Sequence, residues 1–243
     1  MKVLIAPDKF RGSASAAEVA CAIAAGAESA GATTRQQPLA DGGEGTLEVL
    51  GGANRTTTVT GPLGDPVDAP WRLHRAEAVI EMASASGLEL VGGPAGNDPL
   101  AASTAGTGEL ISSAVDLGAR RIIVGLGGSA TTDGGLAALR ALYPLPRLKG
   151  VELIVACDVD TTFVDAAEVF APQKGASPAQ VALLTRRLQR LAEVYRQDHG
   201  IDVTAPPGTG AAGGLAGGLL VAGGHLRPGF ELVADEVDLD GAF

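Results

Sequence analysis

The feature that most constrains this chain is a recurring order: a short apolar run, a polar turn rich in glycine or small residues, then a helical pattern. "KVLIAPD" leads to "SASAAEVACAIAAGAESAG", and "RRIIV" at 120–124 leads through "GLGGSATTDGG" into "LAALRAL". "KGVELIVACDVD" supplies another such run. Strands that are apolar without alternation are buried on both faces, as in a parallel sheet covered by helices. Composition agrees. Hydrophobic residues make up 46% and aromatics 3%, so the core is built from Ala, Val, Leu and Ile, while 35 glycines permit tight turns and close approach. A chain of 243 residues has room for one large α/β domain or two modest ones, and two is the preferred reading.

Local signals place the remaining elements. The first helix is capped by Ser13 or Ser15 and ends at Gly31. "TTTVTGPLGDPVDAPWRL" at 56–73 has the turn chemistry of a hairpin, and "AEAVIEMASASGLEL" is a strand entering a small-residue turn. "TAGTGELISSAVDLGA" has helical spacing at Leu110, Ile111, Ala114 and Leu117. In "SPAQVALLTRRLQRLAEVYRQ", Ser177 and Gln180 form a capping box. Val181, Leu184, Leu188, Leu191 and Tyr195 then fall on one stripe, and Arg186, Arg187 and Arg190 form a solvated face. The low-complexity stretch at 204–224 reads as a glycine loop leading into a tightly packed helix. Cys21 and Cys157 fit no metal spacing and read as small buried hydrophobes, and His74, His199 and His225 read as structural or surface residues.

The formal net charge of −10 argues against nucleic acid, which is held by clustered Lys and Arg. A small anion bound here needs local cations or a metal. No stretch reads as a secretory leader and no apolar run reaches the ~18 residues of a membrane span, so a cytoplasmic protein without a membrane partner is expected.

Several turns could carry chemistry. The 125–135 turn sits where strand, glycine turn and helix start make an anion seat, with Ser129, Thr131, Thr132 and Asp133 between its glycines. It matches neither common nucleotide-binding pattern and equally suits a structural joint. "ADGGEGTLEVL" repeats the Asp-Gly-Gly order, with Asp41 and Glu44, and equally suits an acidic helix start. Asp8, Lys9 and Arg11 follow the first strand, where open parallel sheets place ligands, and suit a substrate with a hydroxyl and a carboxylate. Asp158 and Asp160 in "ACDVD" form a pair that could hold Mg²⁺ or simply a turn. Lys174 in "APQKGAS" could set an ammonium against a phosphate.

The order of these segments carries more than any one of them. "APDKFRGSASAAEVA", "ADGGEGT", "EMASASGLEL", "NDPLAASTAGTGELI", "GLGGSATTDGG", "ACDVD", "FAPQKGA" and "GAAGGLAGG" together resemble the glycerate kinase type I family, from residue 1 to about the end. The resemblance implies an ATP-dependent, Mg²⁺-requiring kinase acting on the 2-hydroxyl of D-glycerate to give 2-phosphoglycerate. The alternative is a catalytically incomplete member that only binds nucleotide or a small hydroxy acid. A dehydrogenase is disfavoured, because no dinucleotide fingerprint follows the first strand.

The fold implied is two α/β domains, a flavodoxin-like (Rossmann-like) parallel-sheet domain with a second mixed α/β domain inserted. Residues 1–60 would begin the first domain, 61–224 would be mostly insertion, and 225–243 would rejoin the first. On the matching positions, Gly127, Gly128, Ser129 and Thr131 would cradle phosphate and Lys174 would meet its charge. Asp8, Asp41 and Asp133 would orient the hydroxyl or take its proton. Lys9 and Arg11, with Glu44, would hold substrate, and Asp158 and Asp160 the metal.

Three departures stand out. "PLPRLK" replaces a longer segment, "DVDTT" replaces the usual Asp-Val-Asp-Asn-Pro, and family members continue beyond the match to "VADEVDLDGAF". The last implies either a missing C-terminal portion or a homodimer that covers the surface it would occupy.

Overall fold

A computed structural model describes residues 1–10 and 13–242. Strands β1 (Lys2–Ile5) and β2 (Thr33–Gln36) pair in parallel, with helix α1 (Ala16–Ser29) as the crossover. Of the two serines that could cap α1, Ser15 does so. Its Oγ accepts from the Glu18 N–H at 3.2 Å, and the Glu18 carboxylate accepts from the Ser15 N–H at 2.7 Å. The helix packs a narrow stripe of Ala20 and Ala24 against Ile5. Cys21 lies off that stripe and is exposed, with its thiol donating to Gln36 Oε1 at 3.3 Å, which corrects the expectation of a buried residue. Cys157 is partly buried.

The second sheet has six strands in spatial order β3 (Arg55–Thr60), β4 (Pro66–His74), β5 (Glu77–Glu81), β6 (Arg121–Gly125), β7 (Glu152–Ala156) and β8 (His225–Arg227). β3, β4 and β5 are antiparallel neighbours and β5 to β8 run parallel. The hairpin expected at 56–73 is β3–β4, where the Trp71 indole donates across the pair to Thr57 Oγ1 at 2.9 Å. The α/β class, with a parallel unit beside a mixed one, is as expected. Both β3 and β8 belong to the mixed sheet, while Val233 and Leu239 pack with Leu39 and Ala40 near the first unit.

Helix α2 (Thr46–Val49) follows β2. The crossovers of the larger sheet are α3 (Ala83–Ser86) and α4 (Ala105–Asp116), then α5 (Leu136–Ala141), then α6 (Ala166–Phe170), α7 (Pro178–His199) and α8 (Ala211–Val221); α9 (Gly229–Glu236) follows β8. Successive side chains of β6 point to opposite faces. Ile122 and Val124 join Leu110, Ile111 and Leu215 on one side, while Ile123 meets Ile154 and Leu232 on the other. Burial on both faces is why these strands lack alternation.

Helix α7 begins with the expected capping box of Ser177 and Gln180, and buries Leu184, Leu188 and Tyr195 with Phe163. At the start of α8, Gly213 has φ +68°, and a Cβ there would lie 2.0 Å from the Thr131 carbonyl oxygen. The low-complexity stretch is therefore a packing surface, with glycine required by backbone contact. No helix among the described residues is long and apolar enough to cross a membrane.

Candidate functional site

The carboxyl ends of β5, β6 and β7 stop in register at Glu81, Gly125 and Ala156, and the segments leaving them border a cleft of about 1030 Å³. Open parallel sheets place ligands at this end, because the loops there converge. The turn after β2 forms the facing wall. The Leu126 N–H donates to the Gly42 carbonyl at 3.0 Å. A Cβ on Gly127 would lie 2.8 Å from Gly43 Cα and 2.9 Å from Glu44 N. Glycine at 127 thus lets the 41–45 turn stack backbone on backbone against the 125–129 turn.

Around this contact the structure assembles Lys9, Asp41, Glu44, Gly127, Gly128, Ser129, Asp158 and Lys174 along one cleft. Lys174 is 2% exposed. Its Nζ donates to Ser129 Oγ at 2.7 Å and to the Thr131 carbonyl at 2.6 Å. Among the described residues no acceptor takes the third N–H. Burial lowers its pKa from 10.5 to about 7, opposed by the charge of Asp133. A desolvated ammonium on the wall of a polar cleft favours an anion beside it.

Asp41 accepts from the Gly43 N–H at 2.9 Å, and its Oδ1 lies 3.7 Å from Lys9 Nζ. Asp8 does not border the cleft. It accepts from the Lys9 N–H at 2.6 Å and lies 4.0 Å from Lys9 Nζ, so it acts on the position of Lys9. Arg11 lies outside the described residues.

Asp133 also stands apart from the cleft. Its carboxylate accepts from the Thr104 N–H at 3.0 Å, Thr104 Oγ1 at 2.8 Å, the Gly135 N–H at 3.1 Å and the Ala137 N–H at 3.4 Å. Burial raises its pKa in spite of these four donors. It pins the start of α4 to the 133–137 turn. Thr131 is buried behind the turn, with its carbonyl rather than its hydroxyl serving Lys174.

The two acids of "ACDVD" separate. Asp158 borders the cleft, but its two oxygens accept from the Gly229 and Phe230 N–H groups at 2.8 and 2.9 Å, capping α9. Asp160 is exposed and does not border the cleft. Among the described residues no group of three or more His, Cys, Asp or Glu side chains gathers to hold a metal. That donor set fits Mg²⁺ shared with substrate phosphates, which needs only one or two carboxylates, and does not fit an all-protein cage.

Two residues join the site that the sequence analysis did not single out. Glu81, at the end of β5, borders the cleft and accepts from the Leu47 N–H at 2.8 Å; burial raises its pKa, opposed by backbone donors and Lys9. The rule that ligands gather at carboxyl ends of parallel strands could have found it. Asn97 donates through Nδ2 to the carbonyls of Ala130 and Lys174 at 3.0 and 2.9 Å, tying the turn to the lysine. Nothing local marks that role, since its partners are distant in sequence.

The sequence model of the Glycerate kinase family matches residues 3–143 and 144–243, divided where the shortened "PLPRLK" connection begins. The chain is 41% identical to glycerate 2-kinase of Escherichia coli (strain K12), covering 99% of this chain and 73% of that protein. It is 40% identical to glycerate kinase of Bacillus subtilis (strain 168), with the same shares covered. Its fold superposes with a TM-score of 0.88 on the crystal structure of a chain assigned as glycerate kinase 2 of Salmonella typhimurium LT2, 40% identical, covering 100% of this chain and 75% of that one. A match that spans the chain, in sequence and in three dimensions, shows that this chain belongs to the glycerate kinase family.

Proposed function

We propose that the chain transfers the γ-phosphoryl group of ATP to the 2-hydroxyl of D-glycerate, giving 2-phosphoglycerate. The observation that carries this reading is the Lys174 ammonium, desolvated, oriented by Ser129 and Thr131, and placed on the cleft wall beside a glycine turn. Phosphoryl transfer depends mainly on positioning and charge neutralisation, and those groups supply both.

Gly127, Gly128 and Ser129 receive the phosphates, and Lys174 neutralises the charge that moves. Lys9, with Arg11, takes the glycerate carboxylate, and Glu44 borders the same part of the cleft. Asp41 orients the hydroxyl. Glu81 accepts its proton; burial, which favours its protonated form, supports this role. Asp8 and Asp133 are positioning residues, one for Lys9 and one for the turn. Mg²⁺ bound to the phosphates supplies charge neutralisation, and Asp41 and Asp158 are the carboxylates that would hold it. The two free thiols suit a reducing compartment, and we assign the reaction to the cytoplasm.

The test is ADP formation by the purified chain with ATP and Mg²⁺, with and without D-glycerate, followed by proton-coupled phosphorus NMR of the product. Glycerate-dependent ADP with the phosphorus signal split by one proton supports transfer to the 2-hydroxyl. Splitting by two protons would move the product to the 3-position. Saturable binding of both substrates without turnover by a folded chain would replace the kinase reading with the binding-only one.

A further inference from the structure

We propose that the chain carries a second small-molecule site, for an amphipathic aromatic carboxylate, between α7 and the reverse side of the turn that carries Ser129. A cavity of about 480 Å³ opens there, of the size that encloses a small organic ligand. It shares no bordering residue with the catalytic cleft. Its walls are apolar, from Leu100, Leu136, Leu191 and Val194, and its mouth is basic, from Arg186, Arg187 and Arg190.

That charge runs against the rest of the molecule. In a chain of formal charge −10, three of its 18 Lys and Arg residues occur within five positions and border one opening. Arg187 donates to the Leu100 carbonyl at 3.1 Å and Arg190 pairs with Glu193 at 2.7 Å. Arg186 has no partner among the described residues. A planar carboxylate suits guanidinium groups because it accepts two parallel N–H bonds.

The floor supplies a second, independent observation. Thr132 borders the cavity and is 2% exposed, and its Oγ1 has no hydrogen-bond partner among the described residues. A buried hydroxyl left unpaired is a cost, and because this oxygen is shielded from the cavity, a ligand oxygen removes that cost by drawing the Thr132 side chain into the rotamer that turns its hydroxyl toward the cavity. Asp133 borders the cavity too, but its two oxygens are occupied by Thr104, Gly135 and Ala137. The fitting occupant has a carboxylate for the arginines, a ring-sized apolar body for the leucines, and a hydroxyl at the far end for Thr132.

The test is calorimetric titration of the full chain with para-hydroxyphenylacetate, repeated with saturating non-hydrolysable ATP analogue and D-glycerate. Phenylacetate, without the hydroxyl, and para-hydroxyphenylethanol, without the charge, are the comparison probes. We expect saturable one-to-one binding that persists with the cleft filled. Removing the carboxylate, or substituting Arg186→Glu with Arg190→Glu, weakens it about tenfold or more, the scale of a lost charge-assisted bond. Thr132→Val weakens para-hydroxyphenylacetate several-fold and leaves phenylacetate unchanged. The arginines are exposed and the only ion pair lost among the described residues is the surface pair of Arg190 with Glu193, so the double variant stays folded and carries the test even if Thr132→Val does not fold. No saturable binding of any probe, equal affinity for the uncharged probe, or displacement by the cleft ligands would each overturn the site.

Discussion

Replacing Lys174 by methionine keeps much of the side chain's bulk and removes the ammonium. Burial lowers the lysine pKa from 10.5 to about 7, so between those values the folded protein has released a proton that the unfolded chain still holds. Stability rises with pH wherever the unfolded state binds more protons, so the wild type gains stability from about pH 7 upward, toward 10.5. One pH unit is worth about 1.4 kcal/mol. The shift of roughly 3.5 units therefore costs about 5 kcal/mol below pH 7, of which about 3 kcal/mol is relieved between pH 6 and pH 9. Methionine has no proton to release. The bonds that Ser129 and Thr131 lose with the lysine give a constant offset that leaves the slope alone. Urea unfolding of both proteins at intervals from about pH 6 to pH 9 reads this directly, since titrations of groups that do not interact with Lys174 cancel in the difference. We expect the stability difference between wild type and Lys174→Met to change by about 3 kcal/mol over that range, toward the wild type at high pH. Parallel curves would refute the argument that burial sets the charge state of Lys174.

Gly127→Val would force a side chain into the contact with Gly43 and Glu44; we expect a loss of about 1–3 kcal/mol in urea unfolding, the cost of overpacking, and loss of turnover. Asp158→Ala removes the acceptor of two N–H groups at the start of α9; about 1 kcal/mol of stability should go, with faster amide exchange in α9. A rise in the Mg²⁺ concentration for half-maximal rate in that variant would support a metal role for Asp158, and an unchanged one would limit it to capping. Glu81→Gln should lower kcat by ~10²–10⁴. Because a proton acceptor works deprotonated and burial raises this group's pKa, the wild-type rate should rise with pH above the ordinary carboxylate range, a limb the variant lacks. Persistence of the limb would remove Glu81 from the role.

The two Asp-Gly-Gly turns show where sequence reasoning stops. Both follow strands and both were legible as chemistry-bearing or structural turns, yet Asp41 borders the cleft, while Asp133 is half-buried and stands apart from it with its carboxylate held by Thr104. A turn's local pattern fixes its backbone shape and leaves open which face meets solvent. Thr104, brought by another crossover, takes the Asp133 carboxylate inward, while the glycine contact at 43 and 127 turns the other acid outward. Asp158 divides from Asp160 for the same reason, because α9 supplies amide donors to one of them.

By itself the sequence determined what depends on near neighbours: doubly buried strands, the Ser177 cap, a serine cap for α1 at 13 or 15, the β3–β4 hairpin, and the ordered motifs that place the chain in its family. The tertiary structure decided exposure and charge. Cys21 lies outside because α1 buries only a narrow alanine stripe, and Lys174 has its pKa lowered because segments remote in sequence exclude water around it. Burial and electrostatic environment are sums over the whole packed molecule, so they arise only once the chain has folded.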